Sequence, residues 1–194
     1  MENISLLKKE YKIKQIAHIT FISSIAIWIL LGCASAIRYD GPYEGKVIDA
    51  DTGEPIAGVI VLGIWSKEHI SPGGAVSEYH DAREMVTDRN GEFSIPGKGL
   101  LLASNITPMD VLIFKAGYEY LQATWLGLKI DGILRLRVKW EGDKAIIPLK
   151  KLTMEERNRR GDSAYPPSKA IQEKKATLMM KEIDKDRKER GLKD

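Results

Sequence analysis

The sequence is poor in cysteine, which forms covalent cross-links, and in histidine, which is common in catalytic and metal sites. Its 194 residues include one cysteine, Cys33, and three histidines, and aromatic residues make up 7% of the chain. With one cysteine no intramolecular disulfide can form, so a domain of this chain must be stabilised by its core. It has no Ser-His-Asp set, phosphate-binding glycine loop or nucleic-acid-binding motif, and we expect no nucleic acid partner.

The N-terminal segment has the residue order of an export signal. Lysines at positions 8, 9, 12 and 14 precede an apolar run over residues 16–31. The run contains polar residues and is shorter than the roughly 20 apolar residues of a membrane-spanning helix. It ends in Leu30-Leu31-Gly32-Cys33-Ala34, and this segment resembles the lipobox of bacterial lipoproteins.

The lipobox resemblance implies that residues 1–32 are a removed signal peptide and that Cys33 becomes the lipid-modified first residue. A cysteine suits this role because its thiolate is a good nucleophile. The implied location is a bacterial membrane, facing the periplasm or the cell exterior, and Ala34 resembles lipoproteins sent on to the outer membrane. Two other routes stay open: an uncleaved signal anchor, and cleavage after Ala36 at a small-x-small site.

Charge divides the rest of the chain into two parts. Residues 33–149 contain 12 Lys and Arg against 16 Asp and Glu, whereas residues 150–194 contain 14 against 9. Opposite net charge in adjoining segments is typical of a globular domain followed by a separate, solvated segment. We therefore predict a linker over residues 33–42, a domain over residues 43–149 and a charged helical tail beyond it.

The domain region predicts an all-β fold. Its apolar residues come in short runs separated by Gly, Pro, Asp and Asn, which is the pattern of strands and turns. Asn90-Gly91 is a two-residue hairpin signal, because both residues tolerate left-handed φ. Seven short strands suit a two-sheet sandwich. The predicted strands cover residues 45–49, 59–65, 85–87, 92–95, 111–114, 133–138 and 145–149.

Three blocks of this region together resemble one family. They are residues 45–61, with Asp-Thr-Gly-Glu-Pro at their centre, residues 87–93 (Thr-Asp-Arg-Asn-Gly-Glu-Phe) and residues 114–118 (Phe-Lys-Ala-Gly-Tyr). In this order they resemble the carboxypeptidase regulatory-like domain. The resemblance implies a transthyretin-like (prealbumin-like) β-sandwich of seven or so strands, used widely as an accessory or surface module.

The enzymatic patterns connected with this fold are missing. Zinc carboxypeptidases hold their metal with a His-x-x-Glu pair and a distant histidine, but Pro72 and Arg83 stand at the glutamate positions after His69 and His80. The transthyretin-like hydrolase of purine breakdown uses several histidines and a characteristic C-terminal tetrapeptide, whereas this chain ends in Gly-Leu-Lys-Asp. We therefore expect a non-enzymatic protein with no catalytic residues, no metal and no cofactor.

Polar side chains cluster in one segment, residues 66–84. Imidazole and carboxylate groups can bind a divalent metal or another ligand, and a loop at the end of a sandwich is a common functional position. The alternative is a solvated insertion between two strands, made mobile by Pro72-Gly73-Gly74. The candidate ligand-loop residues are His69, Glu78, His80, Asp81 and Glu84.

Three tryptophans of the domain allow two interpretations. Trp65 continues the apolar face of a predicted strand, and we expect it in the core. Trp125 and Trp140 suit either core packing, which we favour, or a platform on which a sugar stacks.

The tail predicts two helices. Thr153 and Glu156 have the spacing of a capping box, and Gly161 ends that helix. Ser168 begins a second helix that runs to Arg190, with a thin apolar stripe among many charges. Such a helix either lies on anionic lipid or a partner, or is solvated and stabilised by charge pairs; the second interpretation is favoured because acidic residues are interleaved.

These observations together predict a membrane-tethered envelope lipoprotein that acts as a non-catalytic binding or scaffolding module. Its lipid anchor would hold it to the membrane, and its partner would be an envelope protein or a glycan. Two other classes stay open. One is a metal-assisted hydrolase that uses the segment from His69 to Glu84, and the other is a structural component joined to an assembly through its helical tail.

Overall fold

The structure is a computed structural model that describes Thr20 and residues 37–130, 138–162 and 164–192. The chain folds as two compact units, one of Met1–Tyr39 with Leu100–Ser104 and one of Asp40–Gly99 with Asn105–Asp194. Apart from Thr20, the predicted signal peptide lies outside the described residues, and so does Cys33.

The described residues contain ten strands and four helices. The strands are β1 (Ile37–Asp40), β2 (Tyr43–Asp49), β3 (Ile60–Ser71), β4 (Gly74–Val86), β5 (Glu92–Ile95), β6 (Gly99–Leu102), β7 (Asp110–Phe114), β8 (Leu121–Thr124), β9 (Lys139–Glu141) and β10 (Lys144–Leu149). The helices are α1 (Trp125–Ile130), α2 (Met154–Arg160), α3 (Ser168–Gln172) and α4 (Thr177–Glu189). Within the described ranges, no helix combines the length and the apolar composition needed to cross a bilayer.

Eight strands form two four-stranded sheets. The first sheet has the order β5-β2-β10-β9 and the second the order β4-β3-β7-β8, while β1 pairs with β6. In the first sheet β2 and β10 run parallel, and their neighbours are antiparallel. Val47 and Ile147 of the first sheet pack with Val61, Trp65 and Ile113 of the second in one buried cluster. The chain is mostly β-structure, as predicted, and its packed sheets are consistent with a β-sandwich.

The predicted strands match the observed ones where apolar residues mark them. The predictions over residues 45–49, 92–95, 111–114 and 145–149 lie within β2, β5, β7 and β10, and the prediction over 59–65 covers the buried half of β3. The short strands β1, β6, β8 and β9 were not predicted, because three or four residues are too few to show a period. The equally short β5 was predicted because Asn90-Gly91 marks the turn before it. The prediction over 133–138 lies, except for Val138, outside the described residues.

The structure corrects the prediction of a loop over residues 66–84, because these residues are almost entirely strand. β3 continues to Ser71 and β4 begins at Gly74, so the two strands form a long hairpin with Pro72 and Gly73 at its turn. The Ser71 hydroxyl donates to the carbonyl of Gly74 at 2.8 Å and closes that turn. Ladder pairing with β3 holds this polar segment extended, so its backbone is a hairpin rather than a loop, and its role in binding a ligand stays a prediction.

The turn at Asn90-Gly91 forms, but it does not connect two paired strands. It joins β4 of the second sheet to β5 of the first sheet. The Asp88 carboxylate organises it by accepting from the backbone N–H groups of Asn90 at 2.9 Å and Glu92 at 2.8 Å. The turn chemistry was therefore predicted correctly, whereas the hairpin was not.

The second sheet is buried on both faces. Along β3, Val61 and Trp65 contact the first sheet, while Ile60, Leu62 and Ile64 belong to another buried cluster on the outer face. The strands of the first sheet instead alternate: in β10, buried residues alternate with half-buried ones. A strand that is apolar on both sides requires a second layer to cover it.

That second layer is the C-terminal tail. The predicted capping box is present, since the hydroxyl of Thr153 accepts from the backbone N–H of Glu156 at 3.2 Å and the Glu156 carboxylate accepts from the backbone N–H of Thr153 at 2.9 Å. The predicted second helix is two helices, because Lys174 has a left-handed φ of 58° and separates α3 from α4. This break allows the two helices to follow different lines across the sheet.

The tail helices pack on the outer face of the second sheet. Met179 and Ile183 of α4 are buried in one cluster with Leu62, Leu112 and Phe114 of the sheet. Full burial of such a side chain contributes about 1.5–3 kcal/mol. The expectation of a solvated tail helix is therefore wrong, and the tail completes the core.

Candidate functional site

Polar side chains of β4 lie against the tail. Glu78 Oε1 is 3.4 Å from Lys169 Nζ of α3. Asp81 pairs with Lys175, which lies between α3 and α4, and Glu84 contacts the start of α4. Three of the five residues that the sequence suggested as a ligand site thus contact another part of the same chain.

A β-bulge at His80 brings a further side chain, that of Tyr79, to the tail. Trp65 pairs with Asp81 and the next residue of β3 pairs with Tyr79, so His80 is the extra residue on β4. A bulge changes which residues share a face. Tyr79 therefore packs toward the tail and donates its hydroxyl to Glu173 at 3.3 Å. Burial and the charge of Glu173 raise the pKa of Tyr79 to about 12.

Glu84 supplies the N-terminal cap of α4. Helix α4 has Ala176 at its N-cap, where no side chain caps the free amides. The Glu84 carboxylate accepts from the backbone N–H of Leu178 at 3.0 Å and from that of Met179 at 2.7 Å. A carboxylate at this position satisfies unpaired amides and interacts favourably with the helix dipole.

Asp81 lies between two ammonium groups. It accepts from Lys175 with one carboxylate oxygen and from Lys98 with the other. Lys98 also lies over the ring of Trp65, 4.4 Å from its centroid. Burial opposes ionisation of Asp81, but the hydrogen bonds from Lys175 and Lys98 outweigh it and lower its pKa to about 2.

The two histidines of the predicted ligand loop lie apart. His69 pairs with Val76 in the exposed part of the hairpin, and its Nδ1 is 3.5 Å from Asn105 Nδ2. His80 is at the bulge, where burial and the charge of Lys67 lower its pKa. In the part of the chain that the structure describes, no group of three His, Cys, Asp or Glu residues is placed to hold a metal ion.

Asp186 of α4 is a buried centre of charge that the sequence did not indicate. Its carboxylate lies 2.8 Å from Arg157 Nη2, 2.7 Å from Arg160 Nη2 and 3.0 Å from Arg190 Nε. It also accepts from the backbone N–H of Gly117 at 3.2 Å. Asp186 is 1% exposed, so this network fixes α2 and α4 to each other and to the turn after β7.

Asp40 is a second buried carboxylate, at the end of the predicted linker. It accepts from the Tyr43 hydroxyl at 2.5 Å, from Trp65 Nε1 at 2.9 Å and from the backbone N–H of Lys98 at 2.9 Å. Three donors compensate for burying the carboxylate. The domain therefore begins before residue 43, at Asp40.

The tryptophans pack in the core, as predicted. Trp65 is fully buried. The ring of Trp125 lies 5.4 Å from Tyr43, 6.2 Å from Phe93 and 5.7 Å from Trp140 between centroids, all edge-on. Trp125 and Trp140 are partly buried and pack against the core cluster.

The outer face of the first sheet is left uncovered by the tail helices, whose sheet contacts are with β3, β4 and β7. Lys46 pairs across the ladder with Ile146, and both are half-buried on this face. Lys144 Nζ lies 2.5 Å from Glu92 Oε1 beside them. The face thus combines the apolar side chain of Ile146 with charges of both signs.

Comparisons with known proteins give little further information. No protein-family model and no curated protein matches the chain. A similar solved structure is that of the pilus adhesin RrgA from Streptococcus pneumoniae, with 12% sequence identity and a TM-score of 0.35. The match covers 59% of this chain and 15% of that chain, so the chain spans a small part of the adhesin's length.

Proposed function

We propose that the protein is an envelope lipoprotein, tethered through Cys33, whose sandwich binds or scaffolds an envelope protein or a glycan without catalysis. One observation carries the binding role. Within the described residues the two outer faces of the sandwich differ, since the tail helices pack on the second sheet through β3, β4 and β7 and have no comparable contact with the first sheet. An open sheet face with alternating polar and apolar residues is available to a partner.

The tether is supported by the sequence. Residues 1–32 have the charge and hydropathy order of an export signal, and Cys33 follows Leu30-Leu31-Gly32. Lipid attachment would place the domain on a bacterial membrane, facing the periplasm or the cell exterior. In cells that have an outer membrane, Ala34 favours that membrane. More than one acyl chain gives durable anchoring, whereas a single chain holds only marginally.

The strand order supports a more specific assignment of the β-sandwich, as a transthyretin-like, carboxypeptidase regulatory-like domain. The three sequence blocks of that resemblance fall on β2 with the turn that follows it, on the turn before β5, and on the end of β7. The two four-stranded sheets with one parallel pair in the first sheet fit the same fold. An accessory module of this type suits a binding role.

Metabolic labelling with a fatty-acid analogue tests the tether. The native chain should incorporate the label and Cys33→Ser should not, while Ser35→Ala, two residues away, should label as the native chain does. Mass spectrometry should find Cys33 as the first residue. Equal labelling of the native chain and Cys33→Ser, or a mature chain that begins at Ile37, would contradict the proposal.

Photo-crosslinking in intact cells tests the binding face. A photoreactive residue in place of Lys46, on the open face, should give a discrete adduct with an envelope protein or glycan. The change Ile146→Asp beside it should remove that adduct. The matched position is Lys181, which is exposed on α4. Adducts from position 181 alone would refute the open face and favour the tail as the element that joins an assembly.

A further inference from the structure

The small unit carries an exposed apolar surface on its two strands. Ile37 and Tyr39 of β1 are 57% and 69% exposed, and Leu100 and Leu102 of β6 are 61% and 64% exposed. Because side chains alternate along a strand, Ile37 and Tyr39 share one face of β1, and the two leucines share one face of β6. The ladder between these strands therefore displays four large apolar side chains to the surroundings.

The composition of this ladder is unusual for a surface exposed to water. Among the described residues of the unit, which are Thr20, 37–39 and 100–104, the only charged side chain is that of Arg38. Natural sheet edges normally carry charges that prevent association. Several large, exposed apolar side chains grouped on two paired strands are typical of a protein or membrane contact.

The position of this ladder in the chain indicates that the membrane is the partner that it contacts. Ile37 is four residues after Cys33, and four extended residues reach at most about 14 Å. If Cys33 carries the lipid, as proposed above, β1 must lie within that distance of the lipid headgroups. Every other partner would have to enter this narrow space beside the bilayer.

The backbone sets the depth of contact. A two-stranded ladder has unpaired N–H and C=O groups along its edges, and such groups are not tolerated in the hydrocarbon core. The interfacial region is wet enough to satisfy them, and tyrosine is enriched there. The contact therefore belongs at headgroup level.

We propose that the β1–β6 ladder is a second membrane contact, with Tyr39, Leu100 and Leu102 seated in the interfacial region of the bilayer next to the acylated Cys33. This inference rests on the proposed lipid attachment. The ladder adds to the lipid anchor a second, surface contact with the bilayer.

A fluorescent probe in the full-length protein tests the contact. The chain with Leu102→Cys, purified from membranes and reconstituted in phosphatidylcholine vesicles, is labelled with the polarity-sensitive dye NBD. An acylated Cys33 has no free thiol, so one label is expected, and mass spectrometry counts the labels and the acyl chains. Tyr39→Cys provides a second position, and Ile70→Cys, where the side chain is 98% exposed on the β3–β4 hairpin, is the matched control.

We expect NBD at positions 102 and 39 to emit at shorter wavelength than at position 70 and to be quenched by brominated lipid. An acylated chain whose dye at 102 and 39 behaves as at position 70 would overturn the ladder contact and leave the anchor intact. Quenching in a chain without acyl groups would support the contact and overturn the lipid attachment. A shift in NBD emission that occurs without quenching by brominated lipid, and that grows with protein density, would indicate contact with a second copy of the chain. It would overturn the membrane contact.

Discussion

The carboxylate of Glu84 on β4 accepts a hydrogen bond of 2.7 Å from the backbone N–H of Met179 on α4. The two residues are 95 positions apart in the chain. Met179 is itself fully buried against the second sheet, so one residue of α4 receives both a cap on its backbone and a pocket for its side chain. This junction fixes the tail in its position on the sandwich.

Removal of the Glu84 carboxylate should destabilise the fold. We expect Glu84→Ala to lower the free energy of unfolding by about 1–2 kcal/mol, which is the usual cost of losing a helix cap, measured by urea denaturation. The control is Glu78→Ala on the same strand, since Glu78 forms a 3.4 Å exposed pair with Lys169, and such pairs contribute about 0–1 kcal/mol. Equal losses in the two variants would refute the capping role.

Substitutions at two adjacent residues of α4 distinguish the contribution of core packing to stability from that of helix propensity. Met179 is 0% exposed and Leu178 is 39% exposed. We expect Met179→Ala to cost about 2–5 kcal/mol, because it leaves a cavity in the core, and Leu178→Ala to cost less than about 1 kcal/mol. Thermal and urea unfolding measure both. A small loss in both variants would mean that the tail does not contribute to the core in solution.

The Asp186 network should be sensitive to loss of its central charge. Asp186→Asn leaves three arginines without their shared carboxylate, and breaking a buried ion pair costs about 3–5 kcal/mol. Asp184→Asn, half-buried on the same helix, should cost less than about 1 kcal/mol. Urea denaturation compares the two. The role of Asp186 as the centre of the network would be disproved by equal stability of both variants.

Asp81 should contribute to acid sensitivity. Its pKa is lowered to about 2 by Lys175 and Lys98 despite burial, so the folded state binds the proton more weakly than the unfolded state, where the pKa is near 3.8. Its contribution is therefore complete above pH 4 and is lost as the pH falls toward 2.

The measurement is urea denaturation at several pH values between 2 and 6. The native protein should lose stability between about pH 4 and pH 2, and Asp81→Asn should show a smaller loss over the same range. Asp51→Asn, at an exposed turn, is the matched control and should leave the slope unchanged. An identical slope in Asp81→Asn and the native protein would contradict the linkage.

Most of the first sheet could be predicted because its strands show the pattern of a half-exposed sheet. Residues of β2 and β10 alternate between core and surface, and turn chemistry at Asp88 and Asn90 marks where β5 follows. β4 could not be predicted in the same way. Its residues from Gly74 to His80 show no alternation of apolar and polar side chains and are held extended by pairing with β3, which is a long-range effect that a local pattern does not contain.

The sequence does contain a sign that the tail docks on the sandwich. This sign lies in two strands of the domain and not in the tail itself. β3 and β7 contain continuous apolar runs, Ile60–Ile64 apart from Gly63 and Val111–Phe114, and such runs indicate strands buried on both faces. Two sheets alone leave one of these faces open. The thin apolar stripe of α4 does not by itself indicate docking, yet its few apolar residues suffice because the sheet supplies the rest of the cluster.

The burial of Met179 and Ile183 in one cluster with Leu62 of β3 has a consequence for biosynthesis. Both residues follow β3 in the chain, with β4 to β10 and the first tail helices between them. In a nascent polypeptide the outer side of β3 therefore stays unshielded until α4 has been synthesised. A product shortened by a premature stop before Met179 would keep that apolar strip open and become a substrate for chaperones or proteases.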